Sequence, residues 1–176
     1  MSSVVRANLS GFNVTTIGSL SNVIRSTFFS HPDIKFGMQL KGGEIGISSA
    51  GSESELSTIL ALRKLGLSRE DVSFKEIGNE RLSFLRNRQV HATMLGEPLR
   101  SVAFEEGMTP ILDLLADRIP WLYSGLVVDK SFLAQHRASV LNFMRATIEG
   151  NYMAFSQPKR AKNILAKKLK INNTKK

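Results

Sequence analysis

The pattern most informative about the fold lies in residues 40–67, LKGGEIGISSAGSESELSTILALRKLGL. A short strand is predicted for Glu44–Ser48, and small residues follow it. Ser52, with Glu55 three residues later, forms a capping box and predicts that a helix begins there. Gly66 stands where a left-handed C-cap glycine belongs. The stripe predicted to face the core consists of Leu56, Ile59, Leu60 and Leu65. These residues therefore predict a strand, a bend and a helix.

Strands and helices alternate along the rest of the chain. Further strands are predicted at 12–17, 72–77, 90–95, 111–112 and 126–128. Helices are predicted at 22–29, after Asn79, from Pro98 to Gly107, at 137–155 and at 158–169. We expect turns at 18–21 and 96–98, and an irregular stretch at 120–125. This alternation predicts an α/β fold with a mostly parallel sheet flanked by helices.

The composition is that of a folded chain without cysteine. Of its 176 residues, 42% are hydrophobic and 22% are charged. Zero cysteine excludes disulfides, cysteine-ligated zinc, iron–sulfur clusters and thiolate catalysis. Because no apolar run approaches the roughly 20 residues that span a bilayer, no integral membrane segment is expected.

The net charge of +9 is concentrated at the end of the chain. Residues 159–176 hold eight of the 24 Lys and Arg and none of the 15 Asp and Glu. The remaining 158 residues carry 16 cations against 15 acids and are nearly neutral. A basic terminal helix is usually a solvated face, although a membrane or nucleic-acid foothold is the alternative. No nucleic-acid partner is expected.

Three segments are candidates for ligand binding, because ligands of open α/β sheets collect beyond the carboxyl ends of the strands. The first, 48–52 (SSAGS), offers hydroxyls and a helix N-terminus to an anion, although Ser52 can equally serve only as a cap. The second, 18–21 (GSLS), has the same plan, and an ordinary turn is the simpler interpretation. In the third, 96–98 (GEP), Glu97 either accepts a hydrogen bond from a ligand or is an ordinary first-turn acid that the helix dipole stabilises.

Catalytic and metal-binding patterns are missing. His31, His91 and His136 are isolated, without the spacing of a metal site. The sequence has neither a Gly-x-Ser-x-Gly elbow nor a phosphate-binding loop. Trp121 and Tyr123 are candidates for stacking on a ligand, with packing as their more usual role. We therefore expect a binding protein, with no enzymatic activity, no metal and no cofactor.

Several short motifs follow one another in a fixed order between residues 11 and 170. They are LKGGEIGIS (40–48), LRKLGL (62–67), DV (71–72), IGN (77–79), RLSFL (81–85), EP (97–98), GLVV (125–128) and FMRATIEG (143–150). Their order resembles that of type II periplasmic substrate-binding proteins, specifically the nitrate/sulfonate/taurine and thiamine-precursor branch of ABC importers. This resemblance implies two lobes that close on a small anionic or zwitterionic ligand, which is then delivered to an ABC permease.

The resemblance also implies positions for the ligand and a place in the cell. The ligand-facing residues would be Ser48, Ser49, Gly51, Ser52, Glu97 and, from the first lobe, Ser19. The implied location is periplasmic or extracytoplasmic. Family members begin with a signal peptide and a full first portion of lobe one, and Met1–Ser10 shows no signal pattern. We therefore expect an N-terminally truncated member with a remnant of lobe one at 1–39, a complete lobe two at 40–124 and a return segment to lobe one at 125–176.

Two other functions are compatible with parts of this pattern. LysR-type transcriptional regulators share this lobe plan, so an effector-binding lobe is the alternative. It predicts a helix-turn-helix ahead of residue 1, where the transport interpretation predicts a signal peptide. A fungal branch of the family makes the thiamine pyrimidine with a cysteine-rich motif, and the absence of cysteine argues against that activity here.

Overall fold

The computed structural model describes residues 2–169, with strands and helices alternating through most of the chain. The strands are β1 (Val14–Val23), β2 (Ser26–Ser30), β3 (Glu44–Ile47), β4 (Ser73–Glu76), β5 (Ala92–Gly96), β6 (Thr109–Asp113) and β7 (Pro120–Asp129). The helices are α1 (Ser2–Leu9), α2 (Glu53–Lys64), α3 (Arg81–Arg86), α4 (Leu99–Glu105), α5 (Lys130–Gln135), α6 (Arg137–Ser156) and α7 (Pro158–Leu169). This content confirms the predicted α/β class.

A five-stranded sheet forms the centre of the first compact unit, which ends at Val127. Its strand order is β4-β3-β5-β2-β6. Strand β3 runs parallel to β4 and β5, whereas β2 runs antiparallel to both β5 and β6. Four strands therefore point one way and only β2 points the other way. Strands β1 and β7 pair separately as a two-stranded sheet.

The helix predicted at 22–29 was wrong, because this segment is extended. Strand β1 runs through the predicted turn at 18–21 to Val23, and β2 follows at once. All five residues of β2 are buried, so the strand lacks the polar–apolar alternation that would identify it in the sequence. The irregular stretch predicted at 120–125 was also wrong, because it belongs to β7.

The core lies on both sides of the five-stranded sheet. Successive side chains of a strand point to opposite faces, and Phe28 and Phe29 accordingly belong to different clusters. Phe28 packs in the cluster that includes Ala61 and Leu62 of α2. Phe29 packs in the cluster of α3 and α4. Helices therefore cover both faces, as the α/β class requires.

Helix α2 begins and ends where the sequence predicts, but it turns a different face to the core. Its C-terminus is a Schellman motif: the Leu67 N–H donates to the Leu62 oxygen at 2.9 Å, and Gly66 has φ +77°. The predicted stripe is only half-buried. The buried residues of the helix are mostly small: Ser54, Ser57, Thr58, Ala61 and Leu62. Small side chains let the helix approach the sheet closely. The side chains of the predicted stripe therefore remain partly accessible instead of being fully buried in the core.

The predicted lobe boundaries remain a prediction, and the five-stranded sheet contains residues assigned to both predicted lobes. Residues 26–30, assigned to the lobe-one remnant, form a strand between β5 and β6. The second compact unit begins at Val128 and contains α5, α6 and α7. Within it, the Asp129 carboxylate accepts hydrogen bonds from the Ser131 and Phe132 N–H groups and caps α5. Among residues 2–169, no helix has the length and apolar character needed to cross a bilayer.

Candidate functional site

The bend, defined as Ser48–Ser52, joins β3 to α2 at the carboxyl end of β3. Two of its three hydroxyls are already engaged. The Ser48 and Ser52 hydroxyls lie 2.8 and 2.9 Å from the buried Ser54 hydroxyl. The Ser49 side chain is exposed and makes no hydrogen bond within the described residues. Of the three serines, Ser49 therefore keeps its hydroxyl available to a ligand.

The bend also caps α2, which is the second of the two roles considered for Ser52. The Ser52 hydroxyl accepts a hydrogen bond from the Glu55 N–H at 3.3 Å. The Glu55 carboxylate accepts from the Gly51 N–H, one residue earlier than in a standard capping box. Because a carboxylate already occupies that donor, an anion at the bend needs positive charge from elsewhere.

Arg6 of α1 brings a guanidinium to the bend. Its Nη1 donates to the Ala50 oxygen at 3.4 Å. Helix α1 is held in place by Asn8, whose side chain donates to the Val14 oxygen and accepts from the Val14 N–H, both at 3.0 Å. A Cβ on Gly51 would lie 1.5 Å from Arg6 Nη2, and Gly51 has φ +68°. A side chain at this position would therefore strain the backbone and displace the Arg6 guanidinium.

Two cavities open on either side of Arg6. The polar cavity, about 330 Å³, is lined by Ser3, Arg6, Ala7, Ser10, Phe12, Ser49, Ala50, Gly51 and Ser52. The apolar cavity, about 640 Å³, is lined by Val5, Arg6, Leu9, Leu56, Pro120, Trp121 and Leu122. Three of the predicted ligand residues thus share a cavity with α1, a helix that the sequence analysis did not connect with the site.

Glu97 lies on a different cavity, of about 320 Å³, together with Leu20, Ser21, Arg25 and Ser124. It lies two residues before Leu99, the first residue of α4, and its carboxylate accepts from the Ser101 hydroxyl of that helix at 2.7 Å. This bond lowers the pKa of Glu97, and the Ser101 N–H and the Arg100 guanidinium lower it further. Glu97 therefore accepts hydrogen bonds from the first turn of α4. Pro98 is the residue before this helix, whereas the sequence predicts it as the first helical residue.

Ser19 lies in β1 and not in a turn before a helix, which corrects the predicted setting. Its hydroxyl donates to the Ser21 oxygen at 2.8 Å, and the Ser124 oxygen, at 3.2 Å, is an alternative acceptor for the same proton. Both acceptor residues line the cavity of Glu97. The predicted residues thus divide into two groups: Ser49, Gly51 and Ser52 on the polar cavity, and Glu97 with the neighbours of Ser19 on the other.

Glu53 is a carboxyl beside the bend that sequence reasoning missed. It is the first residue of α2, where an acid normally faces solvent near the helix dipole. Its Oε1 atom is instead buried and makes no hydrogen bond within the described residues. Burial raises the pKa of Glu53, and the Ser57 hydroxyl and the Arg81 guanidinium offset this only in part. Nothing in the sequence distinguishes this acid from an ordinary first-turn acid.

We expect the Glu53→Gln variant to gain stability relative to the unsubstituted protein as pH rises from about 4 to 7. A raised pKa in the fold means that the folded state holds the proton more tightly than the unfolded state. The Glu53 contribution is therefore most favourable below the usual glutamate pKa and is lost as pH rises through the folded-state pKa. Urea unfolding of both proteins at several pH values measures this difference. A difference that stays constant across the range would contradict the prediction.

The histidines do not form a metal site in the described part of the chain. His31 and His91 line a cavity of about 220 Å³ with Asp33 and Arg88. The Asp33 carboxylate there pairs with Arg88 at 2.6 Å and lies 3.3 Å from His31 Nδ1. No group of three histidine or acidic residues among residues 2–169 is arranged to hold a metal ion.

Comparison with known proteins identifies the family of this chain and several relatives with the same fold. A family model described as NMT1/THI5 like matches residues 1–161. Riboflavin-binding protein RibY of Chloroflexus aurantiacus is 26% identical over 164 residues, which are 90% of this chain and 46% of that protein. The periplasmic aliphatic sulphonate binding protein SsuA from Escherichia coli superposes with a TM-score of 0.77 at 19% identity, over 94% of this chain and 58% of that chain.

The alkanesulfonate-binding protein SsuA from Xanthomonas axonopodis pv. citri, solved bound to MOPS, gives a TM-score of 0.76 at 18% identity, with the same coverage of both chains. At such identities the likeness of the two SsuA structures concerns the fold. The chain spans about half the length of the relatives it matches, 46% of RibY and 58% of either SsuA.

Proposed function

Because the chain belongs to the NMT1/THI5-like family, we propose that it is the solute-binding component of an ABC importer, or the part of one that this sequence spans. Its proposed ligand is a small anionic or zwitterionic molecule, delivered to a membrane permease. The proposed location is extracytoplasmic, by analogy with the two sulfonate-binding proteins. The relatives named above are binding proteins by name, which favours binding over catalysis and over transcriptional regulation.

The observation that carries this proposal is the polar cavity between the bend and α1. Its wall combines the exposed Ser49 with the backbone of Gly51 and the Arg6 guanidinium. Within the described residues, the Ser49 and Ala50 N–H groups make no hydrogen bond. The first N–H groups of a helix also have no partner inside the helix. These donors and one cation suit an oxyanion such as a sulfonate or carboxylate.

Each residue has a definite part in this proposal. The Ser48 and Ser52 hydroxyls hold the bend in shape through Ser54 and are positioning residues. Ser49 donates to the ligand, and Arg6 supplies the charge that offsets the Glu55 carboxylate at Gly51. For a zwitterion, Glu97 and Arg25 offer opposite charges on their own cavity. Assignment of these ligand contacts is part of the proposal.

A pair of glycine variants tests the role of the bend. Gly42 and Gly51 both have positive φ, +78° and +68°, so alanine strains the backbone at either site by about 1–2 kcal/mol. At Gly42 an added Cβ meets no atom within 4 Å, whereas at Gly51 it displaces Arg6. We expect solutes that raise the melting temperature of the unsubstituted protein to raise that of Gly42→Ala equally and that of Gly51→Ala much less.

Thermal unfolding in the presence of nitrate, taurine, methanesulfonate, benzenesulfonate and a thiamine-precursor pyrimidine provides the measurement. A solute at 100 times its dissociation constant stabilises the folded state by about 2.7 kcal/mol. No stabilisation by any member of this panel would count against solute binding. Equal stabilisation of Gly51→Ala and Gly42→Ala would place the binding site away from the bend.

A further inference from the structure

We infer that the ligand is an organic anion with a ring or other bulky apolar body, and that Arg6 and Trp121 recognise its two ends. This inference rests on the proposed function and narrows it, because it disfavours nitrate and the smallest sulfonates. It follows from the arrangement of the polar and apolar cavities around Arg6.

The two cavities have different linings and meet at one side chain. Arg6 lines both of them. The polar cavity contributes serine hydroxyls and backbone beside two alanines and Phe12, whereas the apolar cavity is lined, apart from Arg6, by aliphatic side chains, one proline and one indole. Small-molecule sites are usually largely apolar with a few polar groups that fix orientation, and they have volumes of about 300–1,000 Å³. The apolar cavity, at about 640 Å³, falls inside that range.

Trp121 is suited to hold a flat apolar group. It is half-buried, it packs partly against the core cluster of α2, and it also lines the apolar cavity. An indole fixed by the core on one side offers a rigid face on the other, and stacked aromatic pairs contribute about 0.5–1.5 kcal/mol beyond their buried area. Leu56, predicted to be part of the buried stripe of α2, lines this cavity as well.

Arg6 decides the charge of the ligand. The Arg6 guanidinium donates a hydrogen bond to the Ala50 oxygen. Among the described residues, no carboxylate forms an ion pair with it. A guanidinium has five N–H donors in a planar fork that matches carboxylate and sulfonate oxygens. An anionic head group at Arg6 therefore reaches the bend, while its apolar body enters the cavity of Trp121. A small inorganic anion would leave that apolar surface in contact with water.

Intrinsic fluorescence tests this inference directly, because Trp121 is the single tryptophan of the chain. Benzenesulfonate, methanesulfonate and benzyl alcohol separate the contributions of ring and charge. We expect benzenesulfonate to change the Trp121 emission saturably, with an affinity at least tenfold above that of either other compound. Arg6→Gln should weaken benzenesulfonate at least tenfold, and Arg6→Lys should restore part of the loss.

Arg63→Gln is the matched control, because Arg63 is an exposed arginine of α2 that does not line either cavity. It should bind benzenesulfonate like the unsubstituted protein. Equal affinities for methanesulfonate and benzenesulfonate, or equal affinities in Arg6→Gln and Arg63→Gln, would overturn the inference. If nitrate or taurine still stabilises the protein against heat, the proposed function survives that result. If no solute of the panel stabilises the protein or changes the Trp121 emission, both proposals are contradicted.

Discussion

Replacing Phe28 with alanine is expected to lower the free energy of unfolding by about 3–5 kcal/mol. Phe28 is fully buried in the centre of β2, opposite Met94 on one neighbouring strand and Leu112 on the other. Removing the ring loses the favourable free energy of its transfer out of water. It also leaves a cavity that the two flanking strands cannot close. Because domains are usually stable by about 5–15 kcal/mol, this variant should lose a large part of its stability.

Urea unfolding followed by Trp121 fluorescence measures this loss. Phe36→Ala is the control, because Phe36 is 71% exposed and should change stability by no more than about 0.5 kcal/mol. A Phe28→Ala variant within 1 kcal/mol of the unsubstituted protein would show, on this scale, that the ring does not pack in a closed core.

The second large effect is expected at Asp113, where we predict a loss of about 2–3 kcal/mol on replacement with alanine. The fully buried Thr27 donates its hydroxyl to Asp113 Oδ1 at 2.8 Å. Arg100 donates to Asp113 Oδ2 at 3.0 Å and to the Thr27 hydroxyl at 2.8 Å. Alanine would leave the buried Thr27 hydroxyl without its acceptor and would remove the nearer of the two carboxylates that pair with Arg100.

Two comparisons make this prediction specific. Asp113→Asn keeps one oxygen acceptor and should cost less than alanine. Asp117→Ala removes a carboxylate whose partner, Lys64, lies 3.2 Å away in a half-exposed pair, and such pairs contribute about 0–1 kcal/mol. If denaturant unfolding shows the same loss for Asp113→Ala and Asp117→Ala, the network around Thr27 does not stabilise the sheet.

Much of the fold was predictable from local patterns. The capped start of α2 at Ser52, its glycine end and the strand before the bend are all found where the sequence places them. The family resemblance drawn from the motif order is confirmed by the matched family model and by the fold of the sulfonate-binding proteins. These features depend on neighbouring residues, so a single sequence is enough to identify them.

The segment around β2 was missed because its structure depends on distant partners. Residues 26–30 pair with residues 92–96 and with residues 109–113, and burial on both faces removes the alternation of a surface strand. The helix predicted there satisfied the local apolar spacing equally well. Tertiary pairing decided between two conformations that the local sequence does not distinguish.

The candidate site was predictable only in part, for a similar reason. The bend is visible in the sequence, because small residues lie between a strand and a capped helix. Arg6 and Trp121 are 115 positions apart in the chain, and neither carries a motif. Leu56 and Glu53 look like an ordinary core leucine and an ordinary first-turn acid until the packing of α2 is known. The ligand roles of Ser19, Ser48, Ser49, Gly51, Ser52 and Glu97 remain predictions.

On the ribosome, β2 is finished well before both of the strands that flank it. Thr27 and its partner Asp113 are 86 residues apart, so at about 5–20 residues per second the nascent chain needs roughly 4–17 seconds to supply that partner. Until both flanking strands are synthesised, the phenylalanines of β2 are not fully packed, and its backbone amides lack part of their interstrand hydrogen bonds. We therefore expect translation speed and chaperone supply to govern the yield of this protein in cells.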